Sequence, residues 1–240
     1  MPTDAQFRAL WHERFQIDVV SFGKGVWSVI YSRADAADED DARLQPDQQV
    51  HTFAGDDALK NVQTHLAAQW KARRVASQLV FGAGIWLVVT YAPPATAAVL
   101  QHGATTDLQL LVKSAKFPEE QISANWDRGM YIRSLAHDGE RFVLLFEVGD
   151  IPQSLYMDKP FPEVEIEGLW QDCYVVSSLI FADNKWVLVS NELSRNNHQG
   201  WVSDTIFPTD DLDELLCAGG LQPKLVSVAS FSCFFSLLFQ

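Results

Sequence analysis

The chain has 240 residues, 48% of them hydrophobic, and carries a formal net charge of −13. So acidic a surface argues against nucleic acid and against anionic membranes, both of which are recognised through clustered Lys and Arg. The length suits one large all-β domain or two small ones, and no window approaches the roughly 18 consecutive apolar residues of a membrane-spanning helix.

The elements follow one another in a recurring order. Phe7 and Trp11 lie four residues apart, the spacing of one helical face, and lead into "IDVVSF" (17–22), a "GKG" turn and a second strand around "VWSVIY" (26–31). After the acidic stretch "RADAADEDDAR" (33–43) comes a third strand, "QQVHTFA" (48–54). Leu66 and Trp70 then repeat the helical pair, "ASQLVF" and "IWLVVT" flank a "GAG" turn, and "LQLLVKS" (108–114) follows. The third copy reads "FPEEQISANWDRGMYIRSLAHDGERFVLLF" (117–146), then "SLYMDKP" (154–160); the fourth runs from Phe161-Pro162 through Trp170, "VSSLIF", a "DN" turn and "WVLVS" to "GWVSDTIF" (200–207). A fifth, degraded copy runs from Phe207-Pro208 through Leu216 to "KLVSVAS" and "FFSLLF".

Taking Trp11, Trp70, Trp126 and Trp170 as zero points, an aromatic stands sixteen positions on at Trp27, Trp86, Phe142 and Trp186. Apolar residues stand at −4 (Phe7, Leu66, Ile122, Ile166), at +6 (Ile17, Ala76, Ile132, Val176) and at +9 (Val20, Leu79, Leu135, Leu179). With Leu216 as the fifth zero point the intervals are 59, 56, 44 and 46 residues. Gly, Asp and Asn at the turns supply the positive φ of tight hairpins. Pro118 and Pro162 open helices whose first turns hold acids, Glu119 and Glu120 in the clearest case, where the macrodipole favours them.

Repeats of this length with several strands each predict a mainly β fold with short helices: a five-unit repeat, β-propeller-like with five blades. The frame gives one repeat domain over residues 1–240 with units of about 4–55, 56–116, 117–160, 161–206 and 207–240. The last unit stops after its second strand and the N-terminus opens with a helix, which leaves an open or irregular five-unit array as the alternative. The Trp residues are expected to anchor each helix on its sheet.

The third copy resembles a Trp-rich repeat of the approximate form Phe-Pro-x3-Ile-x3-Trp-x2-Gly-Tyr-x-Ile-Thr-Ser-x-Ala, followed by a Gly-bearing turn and Trp-x-Val-Val-Met-Ser. That repeat occurs behind plant casein-kinase-like protein kinases and beside bacterial caspase-like peptidases. The resemblance is good over 116–190, passable over 64–91 and weak over 7–32 and 207–240. The Met-Ser ending is replaced by "IYS", "VTY", "LFE" and "VSN", and the Gln that family copies carry in the third strand has no clear counterpart in this frame. The resemblance implies an accessory, binding role; it supplies no catalytic residue.

Chemistry-bearing patterns are sparse. "GKGVWS" and "GAGIWL" lack the third Gly of a dinucleotide fingerprint and precede strands, so they read as turns. The His residues at 12, 51, 65, 102, 137 and 198 show no metal-ligand spacing; His12 reads as solvated and His137 as a substitution for the Phe of other copies. Cys173, Cys217 and Cys233 are odd in number and fit no metal signature, which predicts reduced, mostly buried thiols. With a polar N-terminus unlike a signal peptide, this predicts a cytoplasmic protein without cofactor or metal. Asp35, Asp38, Glu39, Asp40 and Asp41 form one acidic loop without the Gly and terminal Glu of a calcium loop; they are the candidate site for a basic protein partner. The expected function is a non-enzymatic protein-binding module, most concretely a bacterial immunity or inhibitor protein. The alternatives are a small-ligand or glycan-binding propeller using Tyr91 and Trp201, taken as exposed, and a hydrolase on a propeller scaffold, for which the inward strands offer little.

Overall fold

The computed structural model describes residues 15–23, 26–33, 47–93, 108–192, 200–204, 223–229 and 234–239. The zero-point residues Trp11 and Leu216, the acidic loop with Asp35, Asp38, Glu39, Asp40 and Asp41, and the Phe207-Pro208 step of the fifth copy lie outside them. The protein is mainly β with few short helices. Its described elements are β1 (Phe15–Gly23), β2 (Val26–Arg33), β3 (Gln49–Ala54), α1 (Ala58–Lys71), β4 (Val75–Gly82), β5 (Ile85–Tyr91), β6 (Gln109–Ser114), α2 (Glu119–Trp126), β7 (Met130–His137), β8 (Phe142–Val148), β9 (Gln153–Asp158), α3 (Glu163–Gln171), β10 (Tyr174–Ala182), β11 (Lys185–Glu192), β12 (Gly200–Asp204), β13 (Pro223–Ala229) and β14 (Phe234–Phe239). The chain divides into two compact bodies, residues 1–18 with 31–150 and residues 19–30 with 151–240.

The strands form separate small sheets. β1 pairs with β2, and four three-stranded sheets follow in the orders β3-β5-β4, β6-β8-β7, β9-β11-β10 and β12-β14-β13. Every pairing in these four is antiparallel, with the last strand of each copy in the middle. The strand before each helix therefore belongs to the sheet that follows the helix. This corrects the sequence frame, which closed each unit with that strand: Gln49–Ala54 pairs with the strand of Trp86, not with the earlier strand of Trp27. It also reverses the expectation for the ends. The last sheet is three-stranded, and the two-stranded one is the first among the described residues.

The repeat positions are buried as the spacing predicts. Leu66, Ile122 and Ile166 at −4, Ile17, Ala76, Ile132 and Val176 at +6, and Val20, Leu79, Leu135 and Leu179 at +9 are all core residues. The aromatics at +16, Trp86, Phe142 and Trp186, are buried too, whereas Trp70 and Trp170 are partly buried and pack against the cores of their own bodies. Each +16 ring is met by a ring at +11, with centroids 5.0 Å apart for Phe81 and Trp86 and 5.2 Å for Phe181 and Trp186. His137 fills the same place 4.5 Å from Phe142, as a substitution should. The Phe of the two described Phe-Pro steps meets the +16 ring edge-on, Phe117 on Phe142 and Phe161 on Trp186.

Local backbone chemistry fixes where the elements stop. The hairpins turn through Ala83 and Gly84 and through Asp183 and Asn184, all at positive φ. Each described helix is followed, three residues after its zero point, by a residue of positive φ: Arg73 (57°), Gly129 (70°) and Cys173 (63°). The amides of these residues return to the zero-point carbonyls, Gly129 to Trp126 at 2.9 Å and Cys173 to Trp170 at 3.3 Å. Among the described caps only that of the third copy is glycine, the residue this cap favours. Cys173 is accordingly an exposed helix cap, not the buried strand thiol expected from its neighbours. Replacing Cys173 by Gly should stabilise the protein by about 1 kcal/mol through relief of left-handed strain, read as a shift of the denaturant midpoint at constant m-value. Cys173→Val should lower the midpoint.

Candidate functional site

The densest cluster of polar side chains among the described residues lies within the first body, around Gln109. This residue opens β6 and is 2% exposed. Its side-chain amide brackets the backbone of Ala76 on β4. Gln109 Nε2 donates to the Ala76 carbonyl at 2.8 Å, and the Ala76 amide donates to Gln109 Oε1 at 2.8 Å. The same Oε1 accepts from the Trp70 indole at 3.0 Å, and Nε2 also donates to Glu147 Oε2 at 2.6 Å. Two donors and two acceptor sites are all used.

The bracket recurs. Gln48, one residue before β3, receives the Ile17 amide on its Oε1 at 2.7 Å and donates Nε2 to the Ile17 carbonyl at 3.0 Å. Ile17 and Ala76 share the +6 position. Arg74, buried just before β4, pairs with the Asp47 carboxylate and carbonyl and so pins the residue next to Gln48. In the second body Gln153 opens β9 and donates to Asn191 Oδ1 at 2.7 Å, matching the bond from Gln109 to Glu147. Gln48, Gln109 and Gln153 stand at or next to the head of the strand that precedes each described helix. The sequence frame missed them because it assigned that strand to the wrong sheet, and the longer connections of the early copies obscured the common offset.

Glu147 extends the cluster. It is 7% exposed and lies opposite Gln109 in the β6–β8 register. The Tyr131 hydroxyl donates to its Oε1 at 2.6 Å. Burial, reinforced by the Glu147 charge, pushes the Tyr131 hydroxyl far above its ordinary range, so it remains protonated and donates. The Tyr131 ring comes close to Gly149, where a Cβ would meet its Cε1 at 2.9 Å. Arg133 on the same strand has an Nε that is shielded from water and bonded to nothing in the protein. Burial works against its charge, but Glu147, then Tyr131 and Tyr91, more than offset that and raise its pKa. Tyr91 is partly buried and packs on Val75 and Leu108. Burial raises its pKa as well, against the lowering influence of Arg133. This overturns its reading as an exposed stacking platform. Trp201 lies on β12, and its side chain is outside the described residues.

Arg133 owes its placement to a β-bulge. The β7–β8 register shifts between Ile132 and Ser134, which makes Arg133 the extra residue. Ser77 and Ser177 are the extra residues of the equivalent strands. Next to the bulge, Ser134 brackets the backbone of Leu79 on β4, accepting from its amide at 3.1 Å and donating to its carbonyl at 3.2 Å.

A second cluster joins α1 to β3. The rings of His51 and His65 lie 4.0 Å apart, with Phe53 5.3 Å from His65. They are fourteen residues apart on different elements, which is why no spacing rule linked them. Among the described residues no group of three or more His, Cys, Asp or Glu is arranged to hold a metal. No helix among them is long and apolar enough to cross a membrane.

The chemistry of the Gln109 cluster is that of internal satisfaction: the donors of Trp70, Gln109 and Tyr131 are each aimed at a protein acceptor. Gln109→Ala should therefore cost roughly 2–4 kcal/mol, because it orphans the Trp70 indole and both backbone groups of Ala76, while Ala at exposed Gln121 should cost under about 0.5. Glu147→Gln should cost roughly 3 kcal/mol by stranding the Arg133 charge, and adding Arg133→Met should recover most of that loss. Urea denaturation of the four variants measures all of these.

The comparison with curated proteins gives no match. A family model does match residues 64–219, more than half of the chain, and its description is "Domain of unknown function (DUF7477)". The chain belongs to the DUF7477 family.

Proposed function

We propose that the protein is a non-enzymatic, cytoplasmic protein-binding module that masks a basic partner, in the manner of a bacterial immunity or inhibitor protein, and that its five repeats form a propeller-like array of five blades. The observation that carries this reading is charge: −13 overall, with acids displayed where the repeats come to the surface. Asp56 and Asp57 precede α1, Glu119 and Glu120 open α2, and Glu163 opens α3, all exposed. Helix dipoles favour acids at these points, so their siting costs no stability and leaves the charge free to face a partner. On α3 the exposed Val164, at 76% accessible, sits beside Glu163 and offers an apolar contact within the acidic rim. The acidic loop Asp35, Asp38, Glu39, Asp40 and Asp41 adds a further block of charge in the sequence.

Several such groups would steer a basic surface into contact, and the resemblance to repeats that accompany kinases and peptidases fits an accessory partner of this kind. The buried glutamines and Glu147, by contrast, serve the repeats themselves.

The test is co-purification from native lysate, then reconstitution with the purified partner. A stoichiometric basic protein should be retained, with affinity falling about tenfold or more between low and physiological salt. Replacing Asp35, Asp38, Glu39, Asp40 and Asp41 by Ser should weaken it further. Salt-independent binding, or affinity unchanged by those five replacements and by Lys at Glu119, Glu120 and Glu163, would refute the reading.

A further inference from the structure

We propose that His51 and His65 form an acid-sensitive latch, which holds α1 on β3 while both rings are neutral and releases it when they take up protons. The inference is independent of the partner-masking role. Its geometry is a pair of imidazoles in direct contact, 4.0 Å between centroids, one on the outer strand of a sheet and one on the helix that covers it. His65 Nε2 is sealed from water and bonded to nothing in the protein. Gln49 Oε1 lies 3.4 Å from His51 Nε2. A proton added to His65 would therefore create a charge in contact with a second imidazole, with no acceptor for the buried N–H.

Among the described residues, β3, β4, β5 and α1 contribute no carboxylate to the pair. β3 carries His51 as its one ionisable residue, β4 carries none, and β5 carries Tyr91 at its far end. α1 itself adds Lys60 and Lys71, and Lys113 of β6 reaches the helix at Gln63. The nearest acids in sequence, Asp56 and Asp57, are exposed before the helix begins. The positive groups oppose protonation, so the strain of a charged pair falls on the α1–β3 contact. α1 buries Leu59, Val62 and Leu66 in the core of its body, so its release would uncover an apolar face on acidification.

The sign follows from the two states. Burial, then the proximity of His51, lowers the His65 pKa to about 4, against an unfolded value of about 6.5. Between those values the open chain binds more protons than the closed one. The stability from the pair is therefore complete above the unfolded pKa and is lost as pH falls toward the folded one.

Native-state hydrogen exchange, corrected for intrinsic rates, reads the latch directly. Opening of α1 should be roughly tenfold or more frequent at about pH 5 than at about pH 7.5, while α2, which carries no His, keeps its protection. His65→Phe should remove the difference, and His51→Gln, which keeps the helix intact, should reduce it. NMR titration of the His65 ring in the folded protein should give a midpoint well below the ordinary value. Parallel loss of protection in α1 and α2, a His65 midpoint at or above the ordinary value, or an α1 response unchanged in both variants would overturn the proposal.

Discussion

A side-chain amide standing in for a strand is the interaction on which the repeats depend. β4 is an outer strand of its sheet, and outer strands leave backbone groups without partners. The bulge at Ser77 makes matters worse, because one extra residue interrupts the ladder to β5 just beyond Ala76. Gln109 presents an acceptor and a donor at the spacing of a peptide group and meets both backbone groups of Ala76 at 2.8 Å. A further strand could not be fitted at a bulge; a single amide on the neighbouring sheet can. Gln48 does the same for Ile17, so the device belongs to the repeat and not to one site. Because Gln109 also receives the Trp70 indole, the zero-point tryptophan joins helix, bulge and next sheet through one residue.

The interlocking explains why the phase of the repeat was misread although its period was legible. Period is a local property: apolar residues at −4, +6 and +9 recur because each helix and hairpin must bury one side, and all the described ones are buried. Hairpin turns are local too, and the "GAG" and "DN" stretches turn where their chemistry demands. Membership of the strand before each helix is not local. Val50 pairs with Val89 across an intervening helix and strand, and nothing within "QQVHTFA" distinguishes that partner from the preceding hairpin. Gln48 and Gln109 stand inside the segments "QQVHTFA" and "LQLLVKS" and Gln153 just ahead of "SLYMDKP", and nothing local marks the first two as buried brackets on another strand. The histidine pair escaped for the same reason: contact between a strand and a helix leaves no periodic trace.

Variation among the copies then becomes interpretable at the bulge. In the second and fourth copies the extra residue is serine, and its hydroxyl makes the same short-range bond: Ser77 to the Val89 carbonyl at 3.4 Å, Ser177 to the Val189 carbonyl at 3.2 Å. The third copy carries Arg133 instead. An arginine at this depth needs a counter-charge, and the same copy supplies one at +21, where the second and fourth have Tyr91 and Asn191. Glu147 in turn needs its lone pairs met, and Tyr131 at +5 meets one oxygen where the other copies have Val75 and Val175. Gly149 leaves room for that ring. The departures of the third copy are thus one linked substitution, each step satisfying the polar group introduced by the one before. A linked change of this kind should be strongly non-additive: restoring Ser at 133 alone would leave Glu147 buried without its cation, so reversion helps only when taken with Glu147.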